Sequence, residues 1–496
     1  MAGSGLPPGG FSWVEPADAS SRSAGFSRRR SWRWIGLTVV VLVVAGGVVA
    51  LRWSGVLGPH EMAGGQPSVP EAPIGTPKDR LIGFALDRQP VPAWQVTQAD
   101  IGLPPQAPVG NMFAALGDTA YFVAGAGCSG DPCVDPNGWV YGLDIRTGKK
   151  VLDPVELKDF WGSSSDDCHM NGPSVAVCVT PECDVSGCDG LKELAWVIDL
   201  ARGEVTFTGE PGVHAGAPDR PDLPYLQAIG SAGGETRLVG AVKGKGIYGV
   251  GSKVEPTWFL PGSGDMPQSD SGRVNDAAPV TVAVQYSDRS IGQGVRVFSA
   301  DGKDLTPTPP EGFEVGSTVQ IYPGGFAVEY QKDSRSAGVS LFDTEGKEVV
   351  HLPEGQFLMP TNAMPVVRLG GEAQVFTAAG KPVVSTIAGY LYRAIGTTLY
   401  VSVGTRRWQS TDLLTGQRGP VCELDLDFAY VGSDGSTLIW HDMTNHVFTA
   451  VDPQSCRTQW EIQDYWATPA QTRLLKAGTG LLQVTADTIT GLRAPD

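Results

Sequence analysis

Basic residues are scarce in this chain. It carries 37 Lys and Arg against 53 Asp and Glu, a formal net charge of −16. Neutralising nucleic-acid phosphates takes clustered Lys and Arg, so no nucleic-acid partner is expected. Histidine is sparse too: His60, His169, His214, His351, His441 and His446 are scattered. There is no G-x-S-x-G elbow for a serine nucleophile, no Walker loop, and no dinucleotide fingerprint opening a helix. Apolar residues at a 3.6-residue period persist almost nowhere for three turns, which excludes a mainly helical body. After residue 51 no segment is long and apolar enough to span a membrane.

The one long apolar run is "WIGLTVVVLVVAGGVVAL", Trp34 to Leu51, 18 residues without a charge. At about 1.5 Å rise per residue it just spans a hydrocarbon core of about 30 Å. Arg22, Arg28, Arg29, Arg30 and Arg33 precede it against Glu15 and Asp18, which leaves about −19 for the rest of the chain. That asymmetry predicts a cytoplasmic N-terminus and an extracytoplasmic body. No convincing A-x-A site follows, so an uncleaved signal anchor is expected over 34–52, in a single-pass protein of the cell membrane. Residues 1–33, rich in Gly, Ser and Arg, read as a disordered basic cytoplasmic tail. Residues 53–90 carry Pro59, Pro67, Pro70, Pro73 and Pro77 and read as a stiff linker.

All eight cysteines lie beyond the apolar run: Cys128, Cys133, Cys168, Cys178, Cys183, Cys188, Cys422 and Cys456. An even number in an exported domain points to disulfides, though many connectivities stay open. "CSGDPC" and "CDVSGC" look like stapled loop tips, Cys128–Cys133 and Cys183–Cys188. Cys168–Cys178 and Cys422–Cys456 would then be the remaining pairs. Zinc is the rival, with His169 beside Cys168, but no matched C-x₂-C knuckles occur.

From about 111 onward one unit recurs: short apolar strands, then Asp or a small residue, two or three residues, Gly, and another strand. "WVYGLDIRTGKKVLDPV", "SLFDTEGKEVV" and "DLLTGQRGPVCEL" are examples. The positions before the turn are Asp144, Asp199, about Gly249, Ser299, Asp343, Thr377, Asp412 and Asp452. Their spacing averages about 44 residues, the period of four-stranded propeller blades. With 65 Gly and 38 Pro spread among Val, Ile, Thr, Tyr and Phe runs, the body reads as all-β. Residues 91–496 are therefore expected to form an eight-bladed propeller, with seven as the alternative because the units near 225–262 and 358–387 are degenerate. The segment 473–493 lacks a fourth strand, and "PAWQVT" (92–97) is expected to supply it. Asp opens each turn by bonding backbone two residues on, and Gly takes the positive φ. That role is assigned to Asp144, Gly148, Asp199, Asp343, Gly346, Asp412, Gly416 and Asp452.

"VYGLDIRTGKKVL" resembles the repeat of the pyrroloquinoline-quinone-type propellers, a superfamily that includes the quinoprotein alcohol dehydrogenases and the assembly lipoprotein BamB. Asp144, Thr147, Gly148 and Lys149 match that repeat best, and Asp412, Thr415 and Gly416 keep its spacing. Active quinoprotein dehydrogenases carry a vicinal Cys–Cys pair, a Trp platform and an acidic Ca²⁺ site. This sequence has no adjacent cysteines, and most repeats lack the Trp after the Thr-Gly-Lys turn. No cofactor is therefore expected, neither quinone nor Ca²⁺, and no catalytic or metal residue is assigned.

Weaker candidates remain. "SSSDDCHMNG" offers Asp166, Asp167, His169 and Asn171 as oxygen and nitrogen ligands. "CELDLDF" would place Asp425 and Asp427 on one face of a strand. Trp408, Trp440, Trp460 and Trp466 read as packing between blades. Arg in excess of Lys, with abundant Gly and Ala, suggests a high-GC bacterium, an actinobacterium. The expected function is a non-enzymatic binding or scaffold platform in the bacterial envelope, with an envelope protein or an unidentified ligand as partner. The alternative is an extracytoplasmic enzyme, a dehydrogenase or hydrolase with its site at the propeller channel.

Overall fold

The computed structural model describes residues 74–496 except 126–136, 161, 163, 181–193, 212–215, 218–219, 225, 231–235, 243, 265, 267–281, 287–294, 334, 359–362, 428 and 465–471. The expected tail and anchor, 1–33 and 34–52, lie outside these residues. No described helix is long and apolar enough to cross a membrane.

Short alternating strands cannot bury both faces alone, and here they pair into antiparallel sheets. Eight sheets are four-stranded. In chain order they are blade 1 (111–158), blade 2 (168–209), blade 3 (226–261), blade 5 (314–352), blade 6 (356–386), blade 7 (392–423), blade 8 (430–463) and blade 9, which is Arg473–Ala477, Gly480–Val484 and Thr488–Arg493 joined by Val91–Thr97. Blade 4 contributes two described strands, Val282–Tyr286 and Val295–Ser299, and a bridge from Phe298 to Asp304. By register these match the second and third strands of the others. A small hairpin, Gly216–Ala217 with Arg220–Pro224, stands between blades 2 and 3. The two units that look degenerate in sequence, near 225–262 and 358–387, are both complete four-stranded sheets.

Nine clusters of buried apolar side chains fill the seams, each drawn mainly from two consecutive blades. Trp196 and Val123 meet between blades 2 and 1, Ile247 and Phe298 between 3 and 4, and Val297 and Phe326 between 4 and 5. Leu481 joins Phe448 between 9 and 8, and Leu482 joins Phe122 between 9 and 1. The succession of seams thus returns to its start, as a closed propeller requires.

The eight turn anchors and the eight four-stranded sheets do not coincide. Each anchor marks the turn from third to fourth strand. In blade 9 those strands come from opposite ends of the described chain, with Val96 pairing Ile489 and Thr97 pairing Thr488. No turn joins them, so counting turns runs one short of counting sheets. The expected closure by residues 92–97 is present, as the strand Val91–Thr97.

The repeat turns are built as Asx turns. Asp144 Oδ1 accepts from the N–H groups of Arg146 and Thr147 at 3.1 and 2.7 Å and from the Thr147 hydroxyl at 2.7 Å. Gly148 closes the turn at φ 69°, its N–H donating to Asp144 O at 2.8 Å. Asp412, Thr415 and Gly416 repeat this arrangement. Asp199 and Asp343 also cap their turns through Oδ1, with Gly346 at φ 83°. The Thr147, Thr415 and Ser455 hydroxyls hold the carboxyls of Asp144, Asp412 and Asp452 below the usual carboxylate range. A folded-state pKa below the unfolded one contributes stability above about pH 4, lost as pH falls through the lowered value. The variant Asp144→Asn/Asp412→Asn/Asp452→Asn is expected to melt lower than wild type at pH 6, with the gap closing as melting is followed down to pH 3. A gap that widens toward acid contradicts this.

At the seams, aromatic and aliphatic side chains of one blade cover the turn glycine of the next. A Cβ at Gly148 would run into the ring of Trp94, from the closing strand of blade 9. Trp258 of blade 3 lies in the same way on Gly302 of blade 4. Elsewhere Leu152, Leu305, Val350 and Val384 lie against the turn glycine of the following blade. Between blades 7 and 8 the contact is covalent. Cys456, at φ 57°, stands where other turns have glycine, and it is disulfide-bonded to Cys422 on the outer strand of blade 7.

Residues 74–88, assigned from sequence to the linker, are bound to the propeller. Thr76 N–H donates to Gly396 O, Ile82 N–H to Ser433 O and Gly83 N–H to Thr479 O, at 2.8–2.9 Å. These acceptors sit in or beside the turns between first and second strands of blades 7, 8 and 9. Leu81 enters the seam of blades 7 and 8, and Ile82 and Leu86 that of blades 8 and 9. The Trp460 indole N–H donates to Leu86 O at 2.7 Å. This strap leads into the closing strand and covers that face of blades 7 to 9.

Candidate functional site

The first strands of neighbouring blades approach one another and form the inner ring. Among the described first strands, the charged residues are Arg393, Arg473 and Lys476 with Glu314. His169 is the histidine among them. Cations thus dominate the inner strands of an otherwise acidic chain. Arg473 is committed to the seam with blade 1, donating to Gly110 O at 2.7 Å and to Asn111. Its burial pulls the guanidinium pKa down.

The most elaborate polar cluster lies on the seam of blades 7 and 8. It sits at the end where second strands turn into third strands, opposite the strap. Arg393, on the inner strand Tyr392–Ile395, places Cζ 4.5 Å from the Tyr430 ring centroid. Tyr430 is the cross-strand partner of Trp440. Arg406, in the turn after Thr398–Gly404, stacks over Trp440 at 5.6 Å. Two guanidinium groups therefore flank a Tyr–Trp pair. Arg406 Nη2 also donates to Asp442 Oδ1 at 3.0 Å. Burial raises the Asp442 carboxyl, but the Asn445 amide, the Thr444 N–H and Arg406 together hold it below the usual carboxylate range. Alongside, His441 Nε2 lies 3.0 Å from buried Asp464 Oδ2, with its ring stacked on Phe448 at 4.3 Å. Tyr390, three residues before Arg393, and Met443, next to Asp442, stand 72% and 56% exposed.

The sequence-predicted residues fall elsewhere. Cys168–Cys178 and Cys422–Cys456 are bonded as expected. Cys128, Cys133, Cys183 and Cys188 lie outside the described residues, as do His60, His214 and Trp466. Of the acidic loop, the side chain of Asp166 lies outside the described residues, and the described ones form no metal-binding group. Asp167 Oδ2 accepts from Ser164 N–H at 2.6 Å, and Asn171 spans to blade 3 through Val250 O and Leu238 N–H. Asp425 and Asp427 do not share a strand face: the strand Arg418–Glu423 ends before them, and Asp425 Oδ1 accepts from Asp427 N–H in a turn. His351 bonds Ser340 across two outer strands. Trp408 and Trp440 pack between blades 7 and 8, and Trp460 between 8 and 9. Among the described residues no group of three or more His, Cys, Asp or Glu is placed to hold a metal. The residues also do not fit a quinone. No Trp stands on a described first strand to floor the channel, and the chain has no adjacent cysteines.

Nine blades and nine seams are what one family model requires. The model described as the conjugation-associated 9-bladed β-propeller domain matches residues 66–495. The chain belongs to this family. The matched range takes in the strap as well as the blades, so this nine-bladed domain includes part of the Pro-rich stretch before residue 90. An uncharacterized protein of Mycolicibacterium smegmatis strain MKD8 is 28% identical over 427 residues, covering 79% of this chain and 82% of that protein. Among solved structures, BamB from Moraxella catarrhalis is similar with a TM-score of 0.36 and 12% identity, covering 82% of this chain and all of that one. KlHsv2 with loop 6CD replaced by a Gly-Ser linker gives a TM-score of 0.29 at 11% identity, over 51% of this chain and 86% of its own. Scores this low carry no argument about function.

Arg393, Arg406, Tyr430, Asp464 and the strap escape a reading of single motifs. Partners such as Arg393 and Tyr430 stand about one repeat apart. Aligning the repeats on their turns would have brought them side by side.

Proposed function

We propose that this nine-bladed domain is a membrane-anchored, extracytoplasmic platform that binds a protein partner in the envelope machinery of conjugation. The partner docks on the face carrying the seam of blades 7 and 8. The observation that carries this reading is the pairing of exposed Tyr390 and Met443 with Arg406 and Trp440 at one seam. Tyr, Trp, Met and Arg are the residues enriched at protein interfaces. The opposite face of blades 7 to 9 is occupied by the chain's own strap. Extracytoplasmic placement is supported by the disulfides, which persist in oxidising compartments, and by the charge asymmetry around Trp34 to Leu51. The M. smegmatis relative supports an actinobacterial setting. The turn geometry at Asp144 and Asp412 supports kinship with the quinone-type repeat, used here without the cofactor.

A photo-crosslinking residue placed at Tyr390 or Met443 of the full chain, in cells undergoing conjugation, is expected to give a discrete protein adduct. The same residue at Leu414, 64% exposed in the third-to-fourth turn of blade 7, is expected to give none. Adducts from Leu414 alone would overturn the assignment of the face.

A further inference from the structure

Buried polar side chains in folded proteins nearly all have partners, and those that do not call for an explanation. Among the described residues, Arg393 Nη1 and Trp440 Nε1 on the seam of blades 7 and 8 are buried donors without one; Ser410 Oγ of blade 7 and the acceptor Asp464 Oδ1 of blade 8 also have none. Trp440 is only 7% exposed. Arg393 and Trp440 flank Tyr430. Arg393 stacks on its ring, and Trp440 is its cross-strand partner, a pairing that brings side chains to within about 5 Å on one face.

The carboxylate nearest on this seam, Asp442, is already bound to Arg406. Asp464 turns Oδ2 toward His441, whose ring stacks on Phe448 in the seam of blades 8 and 9, and the buried Oδ1 of Asp464 has no hydrogen-bond partner. A guanidinium stays charged at any pH the protein meets, and burying it without an anion is costly. Arg393 Nη1 and Trp440 Nε1 both donate and neither accepts, so the complement is an anionic acceptor. The planar fork of Arg393 matches the two oxygens of a carboxylate. A phosphate group would call for several converging cations, yet Arg406 is neutralised by Asp442 and Arg473 is committed to blade 1. The exposed Tyr390 and Met443 at the rim add apolar contact suited to a peptide rather than a free ion.

We infer that the seam recognises a carboxylate on the partner, an acidic side chain or a chain terminus, through Arg393 and Trp440. This rests on the proposed binding face and adds its chemistry.

The test uses the full chain in detergent with N-acetyl-glutamate as probe, read by saturation-transfer NMR. N-acetyl-glutamate is expected to bind, its fully amidated counterpart N-acetyl-glutaminamide, which carries no carboxylate, is not, and equimolar phosphate does not displace it. Arg393→Gln weakens binding roughly tenfold or more, as losing a charged hydrogen bond does. Arg393→Lys, which keeps the charge but not the fork, is expected to fall between, and it decides the matter if Arg393→Gln does not fold. Arg407→Gln, an exposed neighbour, leaves binding unchanged. Equal binding of the amide, displacement by phosphate, or full binding by both Arg393 variants would overturn the inference. If Tyr390 forms its adduct while N-acetyl-glutamate fails to bind, the carboxylate falls and the binding face stands.

Discussion

Replacing Trp94 by alanine is expected to lower the unfolding free energy by about 3 kcal/mol, and deleting residues 91–97 to abolish the single cooperative melt. Trp94 does three things at once. Its indole N–H donates to Ile145 O at 3.0 Å, its ring covers the turn glycine Gly148, and it packs into the seam of blades 9 and 1. Truncating a packed Trp to Ala costs about 3–5 kcal/mol, and its partial exposure places this one at the lower end. Deletion goes further, because it strips the outer strand from blade 9 and removes every backbone bond holding the closure. A ring stabilised by nearest-neighbour seams loses its closure when one seam opens. Val151→Ala, on the exposed outer strand of blade 1, is the control and should change stability by less than about 0.5 kcal/mol. Thermal melting of the full chain checks all three variants. Equal melts for wild type and the deletion would contradict the role given to the closing strand.

The second large effect is expected at the inter-blade disulfide. Removing Cys422–Cys456 by double serine substitution should cost about 3–4 kcal/mol, from the closure entropy of the loop it holds. Cys168–Cys178 spans 10 residues rather than 34, and joins two strands already paired within blade 2. The shorter loop alone makes its removal about 1 kcal/mol cheaper. The inter-blade bond also stands in for the docking of an outer-strand side chain on a turn glycine, the contact that other seams make without covalent help. Urea unfolding of the two double variants gives the order directly. A larger loss from Cys168–Cys178 would contradict the view that blades 7 and 8 depend on their cross-link.

Much of this architecture was legible because its determinants are local. Asp144, Thr147 and Gly148 lie within five residues, and turn chemistry alone assigns their roles. The closing strand was legible by default, since blade 9 lacked a partner and "PAWQVT" had strand character. The ninth blade was hidden for a topological reason, as its third and fourth strands share no turn. Blade 4 keeps only Ser299 and Gly302 of the repeat turn, and its outer part is a single bridge, so the pattern alone undersells it. The strap reads from sequence as a linker because proline-rich composition reports backbone stiffness. What binds Thr76, Leu81, Ile82 and Leu86 to the blades is backbone bonding and seam packing, which composition does not encode. The cluster around Arg393 was illegible for another reason. Its members come from equivalent places in adjacent repeats, so no short window contains two that touch.

Hydrogen exchange of the full chain, followed by mass spectrometry across residues 74–110 and 473–496, tests the closed ring most directly. Amides of Val91–Thr97 are expected to exchange as slowly as those of Thr488–Arg493, their partners in blade 9, with Thr76, Ile82 and Gly83 also protected. Rapid exchange of residues 91–97 beside a protected 488–493 would contradict closure by the N-terminal strand.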